Sequence, residues 1–211
     1  MADNYLGNKM EEHRAKAAAG HPAKPQPTLN QLLTRNRSVR GYDATYAVSP
    51  DQLRRIIEVN TRIPSARNQQ VLRFRPVWGD EAARVLPHIR LGGALKELHL
   101  PLPGTEPNAF ILICSTEGES RYVDIDLGIS AQSMLLKATE MGLNGICIGA
   151  FDKAALTEIF HLPSELLLVL AVGKSAETFE LREIAASEGH NYYRENGKHI
   201  VPKVRLDDLI I

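Results

Sequence analysis

A chain of 211 residues, 44% hydrophobic and 24% charged, is long enough to bury one substantial core, which predicts a single globular domain. Its 25 basic and 25 acidic residues cancel, so no net charge favours nucleic acid or an acidic membrane surface, and neither is an expected partner. No apolar run approaches the roughly 20 residues needed to cross a bilayer, and the polar N-terminus has no signal-peptide core, so we expect a cytoplasmic protein.

The first half of the chain predicts an arm followed by mixed helices and strands. Residues 1–28, which are rich in alanine and proline, predict a flexible N-terminal arm ahead of a folded domain at residues 29–211. A helix should begin after Ser49, because a serine cap, Pro50 in the first turn and Gln52 form a capping box. The sequence then predicts a strand over residues 74–78 and a capped helix over 80–88. A fully apolar strand over 109–114 should be central in its sheet.

The second half alternates helices and strands. Apolar residues three or four apart predict a long helix over residues 124–141, and Gly142 occupies the position of a left-handed cap. Next come a strand over 146–148, a helix capped by Asp152, and a strand over 166–172. The pair Asn196-Gly197 predicts a β-hairpin near the end of the chain. Both cysteines, Cys114 and Cys147, lie in short apolar runs and are expected to be buried, reduced thiols.

Several common site types are missing from the sequence. There is no Gly-x-Gly-x-x-Gly motif after a strand, no phosphate loop ending in Gly-Lys-Ser or Gly-Lys-Thr, and no Gly-x-Ser-x-Gly elbow. The seven histidines are scattered, without helical metal-ligand spacing and without a Cys-x-x-Cys to join them. We therefore expect no Rossmann, P-loop or hydrolase site and no metal.

One segment is unusually rich in arginine. It has nine arginines against three acidic residues and no lysine: Arg35, Arg37, Arg40, Arg54, Arg55, Arg62, Arg67, Arg73 and Arg75, against Asp43, Asp51 and Glu58. Because the planar guanidinium suits bidentate phosphate recognition, the segment predicts a defined anion site. For Arg54 and Arg55 a solvated helix face is the favoured explanation, because they lie on the polar side of a predicted helix.

The first polar cluster within this segment surrounds Ser38. On an extended backbone Ser38 and Arg40 share a face and could converge on one anion, whereas in a helical turn Arg37 and Arg40 would converge. A charged turn with Asp43 as the local partner is the alternative.

A second polar cluster, residues 64–70, follows the helix predicted to begin after Ser49. The side chains of Asn68 and Gln70 each offer donors and an acceptor that would match a heterocycle edge bearing imide groups, such as a flavin ring. The same residues would also suit an ordinary loop.

These clusters resemble motifs of the nitroreductase family. Arg37-Ser38-Val39-Arg40 resembles its Arg-Ser-x-Arg phosphate signature, and residues 64–70 resemble its Pro-Ser-x-x-Asn-x-Gln loop. Residues 124–142 and 145–151 are similar to the family's long dimer-interface helix and to the strand whose end meets the flavin. Val172-Gly173 and residues 201–205 also occupy the expected positions.

The resemblance implies an α+β fold, a three-layer α/β/α sandwich with a central, mostly antiparallel sheet flanked by helices. It also implies a homodimer with flavin mononucleotide (FMN) at the subunit interface. NAD(P)H would be the electron donor and a nitroaromatic or quinone the small-molecule acceptor, in a ping-pong reaction. The implied FMN-binding residues are Arg37, Ser38, Arg40, Pro64, Ser65, Ala66, Asn68, Gln70, Ile148, Gly149, Ala150, Lys203 and Arg205.

The cofactor would carry the chemistry, so the resemblance implies no catalytic side chain, with Arg40 stabilising the reduced flavin. The alternatives are another flavin-linked activity on the same fold (flavin reductase, dehalogenase or flavin-degrading enzyme) and a flavin-binding protein without enzymatic activity.

Overall fold

The computed structural model describes residue 7 and residues 9–11, 26–93 and 100–211. The predicted N-terminal arm, residues 1–28, lies for the most part outside the described residues. The first helix of the folded body is α1 (Leu29–Arg35), capped by the side chain of Thr28.

A four-stranded antiparallel sheet forms the centre of the fold. Its strands β1 (Leu72–Trp78), β2 (Ala109–Ser115), β3 (Asn144–Ile148) and β4 (Glu165–Gly173) lie in the order β1-β2-β4-β3. Every residue of β2 is buried, since the strand pairs with β1 on one side and β4 on the other and both faces of the sheet are covered. This confirms the prediction of a central apolar strand and leaves β3 at one edge of the sheet.

Four further helices surround this sheet: α2 (Pro50–Ile57), α3 (Asp80–Ala83), α4 (Arg121–Glu140) and α5 (Lys153–Phe160). The predicted capping box is present at α2, and Gly142 has the left-handed φ of +78° just beyond α4. The predicted helix over residues 80–88 is wrong in extent: α3 ends at Ala83, and a separate 3₁₀ turn spans Leu86–His88. Pro87 lacks the N–H that a continuing α-helix would need. No helix within the described ranges is long and apolar enough to cross a membrane.

The alternating side chains of β2 divide the core into two layers. Phe110 and Leu112 pack with Leu156 and Phe160 of α5 on one face of the sheet. On the other face, Ile111 and Ile113 pack in a cluster with residues of α2 and α4, including Leu53, Ile56 and Met134. Helices therefore cover both faces of an antiparallel sheet, which confirms the predicted three-layer α+β architecture.

A second, three-stranded sheet follows the sandwich. Its strands are β5 (Thr178–Ile184), β6 (Tyr193–Glu195) and β7 (Lys198–Val204), in the order β5-β7-β6. The hairpin predicted at Asn196-Gly197 joins β6 to β7, and both turn residues have positive φ. The sequence analysis did not predict that β5 pairs with β7 in parallel, because that pairing joins segments about twenty residues apart in the sequence.

One prediction about the cysteines needs correction. Cys114 is buried in the core as expected, but Cys147 is exposed. On β3, Ile146 and Ile148 point into the core and Cys147 points the other way, because side chains alternate along a strand. A short apolar run at a sheet edge therefore does not bury every side chain.

Candidate functional site

Residues of the first polar cluster line one cavity, which we call the arginine cavity. It has a volume of about 360 Å³, and Arg37, Ser38, Arg40 and Lys203 all line it. The structure thus brings four of the predicted phosphate ligands together from two distant parts of the chain. The cavity wall also includes Asn36, Gln132, Gly145, Cys147, Tyr192 and His199.

The backbone of the Arg37–Arg40 segment runs extended beside β3. Ser38 forms a parallel β-bridge with Gly145, and the Val39 N–H donates to the Gly145 carbonyl at 3.1 Å. The Arg37 N–H donates to Asn144 Oδ1 at 3.2 Å. Of the two conformations weighed from sequence, the extended one is therefore correct. Strict alternation would turn Arg37 away from Ser38, but Arg37 lines the cavity together with Ser38 and Arg40.

Both guanidinium groups keep hydrogen-bonding capacity for a ligand. Arg37 donates to the Leu33 carbonyl, while Arg40 Nη1 donates to the Ser38 carbonyl at 3.1 Å and stacks 4.4 Å from the Tyr192 ring centre. Within the described residues, the buried Nε atoms of Arg37 and Arg40 have no hydrogen-bond partner. Buried donors are normally satisfied, so these two fit an anionic ligand. Asp43 does begin a turn, where it accepts hydrogen bonds from Thr45, but among the described residues its ion pair is with Lys174 and not with an arginine of the cluster.

A buried carboxylate supports Arg40 from behind. Glu177 accepts a 2.7 Å hydrogen bond from the Arg40 N–H, pairs with Arg194, and lies 4.0 Å from His199 Nδ1. Burial alone would raise the pKa of Glu177, but the contacts with His199, the Arg40 N–H and Arg194 outweigh it and hold the pKa below its usual range. Sequence reasoning missed Glu177 and His199, because only the fold brings the second sheet against Ser38 and Arg40.

The second polar cluster, residues 64–70, forms what we call the amide loop. Its conformation depends on Asp126 of α4, which is 4% exposed. This carboxylate accepts hydrogen bonds from the Ser65 hydroxyl at 2.7 Å, the Ala66 N–H at 2.7 Å and the Gln69 amide at 2.9 Å. Burial would raise the pKa of Asp126, but these three bonds outweigh that effect and lower it. The available sequence signal was an aspartate at a buried position of a long helix.

The amide loop presents Asn68 and Gln70 to solvent. Both residues have positive φ, and Gln70 Nε2 donates to Asn68 Oδ1 at 3.0 Å. Pro64, Ser65 and Gln70 line a second cavity of about 520 Å³ between α2, β1 and α4. This cavity shares no lining residue with the arginine cavity, so the structure does not bring the two predicted clusters together within one chain.

The remaining predicted ligands lie in different settings. Ile148 is buried in the core, whereas Gly149 and Ala150 are exposed just beyond the end of β3. Arg205 pairs with Asp208 at 3.1 Å and does not line the arginine cavity. Among the described residues, no cluster of histidine, cysteine and acidic side chains could hold a metal ion.

Comparison with known proteins identifies the same architecture. The sequence matches the nitroreductase family over residues 33–174. A protein of Methanocaldococcus jannaschii, provisionally named a nitroreductase, is 37% identical over 57 residues, which is 27% of this chain and 29% of that protein.

Solved structures of related proteins superpose on most of the chain. An FMN- and NADPH-dependent nitroreductase from Sphigopyxis sp. strain HMH has a TM-score of 0.60 at 19% identity. The match covers 71% of this chain and 89% of the Sphigopyxis chain. A structure from Exiguobacterium sibiricum, solved in complex with FMN, has a TM-score of 0.59 at 18% identity. The match covers 74% of this chain and 92% of the Exiguobacterium chain. A nitroreductase family protein from Streptococcus pneumoniae has a TM-score of 0.59 at 18% identity. The match covers 72% of this chain and 93% of the Streptococcus chain.

The family match covers more than half of the chain, and it includes both polar clusters and the whole four-stranded sheet. This chain belongs to the nitroreductase family.

Proposed function

We propose that this chain is an FMN-dependent oxidoreductase that uses NAD(P)H to reduce nitroaromatic or quinone-type acceptors. The observation that carries the proposal is the pair of unpartnered buried Nε atoms of Arg37 and Arg40 in a cavity that Ser38 and Lys203 also line. The comparison with the Exiguobacterium protein, solved with FMN, and with the FMN- and NADPH-dependent Sphigopyxis enzyme supports FMN and NAD(P)H.

In this proposal each residue of the arginine cavity binds or orients the cofactor. Arg37 and Lys203 contribute positive charge to the phosphate, and Ser38 contributes a hydroxyl donor. Arg40, held by Glu177 and Tyr192, supplies positive charge that stabilises a reduced, anionic flavin. The backbone N–H groups of Gly149 and Ala150 would contact the flavin ring. FMN, when bound, supplies the hydride chemistry itself, so no acid–base pair is required of the protein.

We further propose that the functional unit is a homodimer with the cofactor between subunits. Because the two clusters line separate cavities in one chain, Asn68 and Gln70 would reach the cofactor from the second subunit. Exposed apolar side chains support such an interface: Tyr122 and Ile125 on α4, and Leu206, Leu209, Ile210 and Ile211 after β7. Surfaces of this kind on a single chain often mark contact with another protein.

An anaerobic reduction assay tests the proposal. The purified protein should be yellow, its flavin absorbance should bleach on addition of NADH or NADPH, and a nitroaromatic or quinone should restore it. Steady-state rates at several acceptor concentrations should give the parallel double-reciprocal lines of a ping-pong reaction. A colourless protein that takes up no added FMN would contradict the proposal, whereas a yellow protein that neither nucleotide bleaches would indicate a flavin-binding protein without this activity.

A further inference from the structure

Cys147 lies inside the arginine cavity. Gly145 and Cys147 are two residues apart on β3, share one face of the strand and both line the cavity, whereas Ile146 and Ile148 face the core. The Cys147 side chain is exposed and forms no disulfide. A ligand that fills this cavity would therefore cover the thiol.

The wall around this thiol carries positive charge. Arg37, Arg40 and Lys203 line the cavity with Cys147. One of these side chains is also at least nine-tenths buried and has a nitrogen without a hydrogen-bond partner among the described residues: Arg40, 9% exposed, at Nε. The thiol thus lies in a site whose buried donor suits an anion.

We propose that Cys147 is a modification site for anionic, thiol-directed electrophiles, and that its modification and FMN binding exclude each other. The modification of Cys147 depends only on the geometry and charge of the arginine cavity. The exclusion rests on the proposed function, because it requires FMN to occupy that cavity. Covalent capture of this thiol would leave the chain folded but unable to bind its cofactor.

The chemistry can be written with iodoacetate as the probe. The Cys147 thiol loses its proton to solvent, and the thiolate sulfur displaces iodide from the methylene carbon. One C–S bond forms as one C–I bond breaks, with no change of oxidation state. Partial desolvation by the cavity wall raises the pKa of Cys147, so the reaction should be run at mildly alkaline pH. Cys114 provides an internal control, because it is 3% exposed and burial raises its pKa to about 11.

The first experiment measures charge selectivity in protein freed of flavin by dialysis against concentrated potassium bromide. Iodoacetate and neutral iodoacetamide are compared by peptide mass spectrometry, and a small free thiol gives the reference rate ratio. The iodoacetate-to-iodoacetamide ratio at Cys147 should exceed the reference by on the order of tenfold, because a cleft lined by one sign of charge concentrates counter-ions. Added salt should reduce this preference.

A matched pair of variants assigns the preference to the cavity. His199, Val201 and Lys203 line the cavity from alternate positions of β7, and Lys198 does not line it. Lys203→Gln should lower the rate ratio severalfold, while Lys198→Gln should leave it unchanged. Absence of label on Cys114 shows that each protein stays folded. A ratio at Cys147 equal to that of the free thiol, or equal effects of the two variants, would overturn Cys147 as a site for anionic electrophiles.

The second experiment tests exclusion in both directions. Saturating FMN should protect Cys147 from iodoacetamide. Protein carboxymethylated at Cys147 should bind no FMN, whereas the same protein taken through the procedure without iodoacetate should bind it. Equal labelling with and without bound FMN would overturn the exclusion and leave the proposed function standing. A protein that never binds FMN would overturn the proposed function and the exclusion together. The charge selectivity of labelling would still decide whether Cys147 is a site for anionic electrophiles.

Discussion

At the scale of single residues, Arg37 and Arg40 differ in what the protein already uses them for. Arg40 contacts Ser38, Glu177 and Tyr192, whereas the Arg37 side chain donates to one backbone carbonyl, that of Leu33, among the described residues. Arg37 is therefore the cleaner test of phosphate binding. Its substitution should remove a ligand contact with little damage to the structure around it.

We predict that Arg37→Gln weakens FMN binding by roughly 10- to 150-fold, since one charge-assisted hydrogen bond contributes about 1.5–3 kcal/mol. Fluorescence titration of the flavin-free protein with FMN measures the change. Arg35→Gln is the matched control, because Arg35 lies two residues away and does not line the cavity. Equal affinities for the Arg37→Gln variant and the unsubstituted protein would remove Arg37 from the phosphate site.

Asp126 is a positioning residue, since it acts through the amide loop. Asp126→Asn would leave one acceptor oxygen and direct an NH₂ group at the donors of Ser65, Ala66 or Gln69. The free energy of unfolding should fall by about 1–3 kcal/mol, the cost of an unsatisfied buried polar group. Urea unfolding measures this loss. Asp124→Asn, an exposed change on the same helix, should cost no more than about 0.5 kcal/mol, and similar losses for both variants would contradict this role for Asp126.

The same carboxylate predicts a pH dependence. The pKa of Asp126 is lower in the folded protein than its ordinary value, so its stabilising contribution is present above about pH 4, the unfolded value. That contribution is lost as the pH falls through the folded-state pKa. The difference in unfolding free energy between the unsubstituted protein and Asp126→Asn should therefore shrink between pH 7 and pH 3. A difference that grows on acidification would show that the sign of the pKa shift is wrong.

At the scale of elements, the sequence predicted best where the signal is local. The capping box at Ser49 and Gln52 and the turn at Asn196-Gly197 each depend on residues at most three apart, and both formed as expected. The continuous apolar run of β2 likewise predicted a central strand. In each case, short-range backbone chemistry or burial alone determines the element.

Features that depend on the packing of distant segments could not be predicted from sequence. An aspartate at a buried position of a long helix indicates that it has a partner, but not that the partner is residues 65–69, about sixty positions earlier. The parallel pairing of β5 with β7 and the exposure of Cys147 likewise depend on which segments the fold places side by side. For the candidate site, the sequence therefore predicted residues that the fold gathers around the arginine cavity, Arg37, Ser38, Arg40 and Lys203, but not those that support them.

Gly145 shows how tightly β3 is packed where the Arg37–Arg40 segment pairs with it. A Cβ atom at Gly145 would lie 2.3 Å from the Ala171 carbonyl oxygen and 2.8 Å from Leu135 Cδ2. Gly145→Ala should therefore destabilise the protein by about 1–3 kcal/mol through overpacking, as thermal unfolding would measure. Gly118→Ala is the control, since no described atom lies within 4 Å of its added Cβ. If the two melting temperatures agreed, the close approach would be wrong.

At the scale of the whole molecule, the segment after the family match contributes His199 and Lys203 to the wall of the arginine cavity, and we expect FMN binding to require it. A chain truncated after Gly197 loses β7, the middle strand of the second sheet, together with His199 and Lys203. It should lose FMN binding and sediment partly as monomer or aggregate. A chain truncated after Arg205 keeps β7 but lacks four exposed apolar side chains, those of Leu206, Leu209, Ile210 and Ile211, so sedimentation should show a weaker dimer. A fully dimeric, yellow and active product of the first truncation would contradict the proposed role of this segment.

A crystal structure of the protein grown with FMN tests the central claim most directly. The account predicts the phosphate within hydrogen-bond distance of Arg37, Ser38 and Arg40 of one subunit. It also predicts the flavin or ribityl group against Asn68 and Gln70 of the second subunit. FMN bound entirely within one chain, or an arginine cavity that remains without phosphate at saturating FMN, would contradict it.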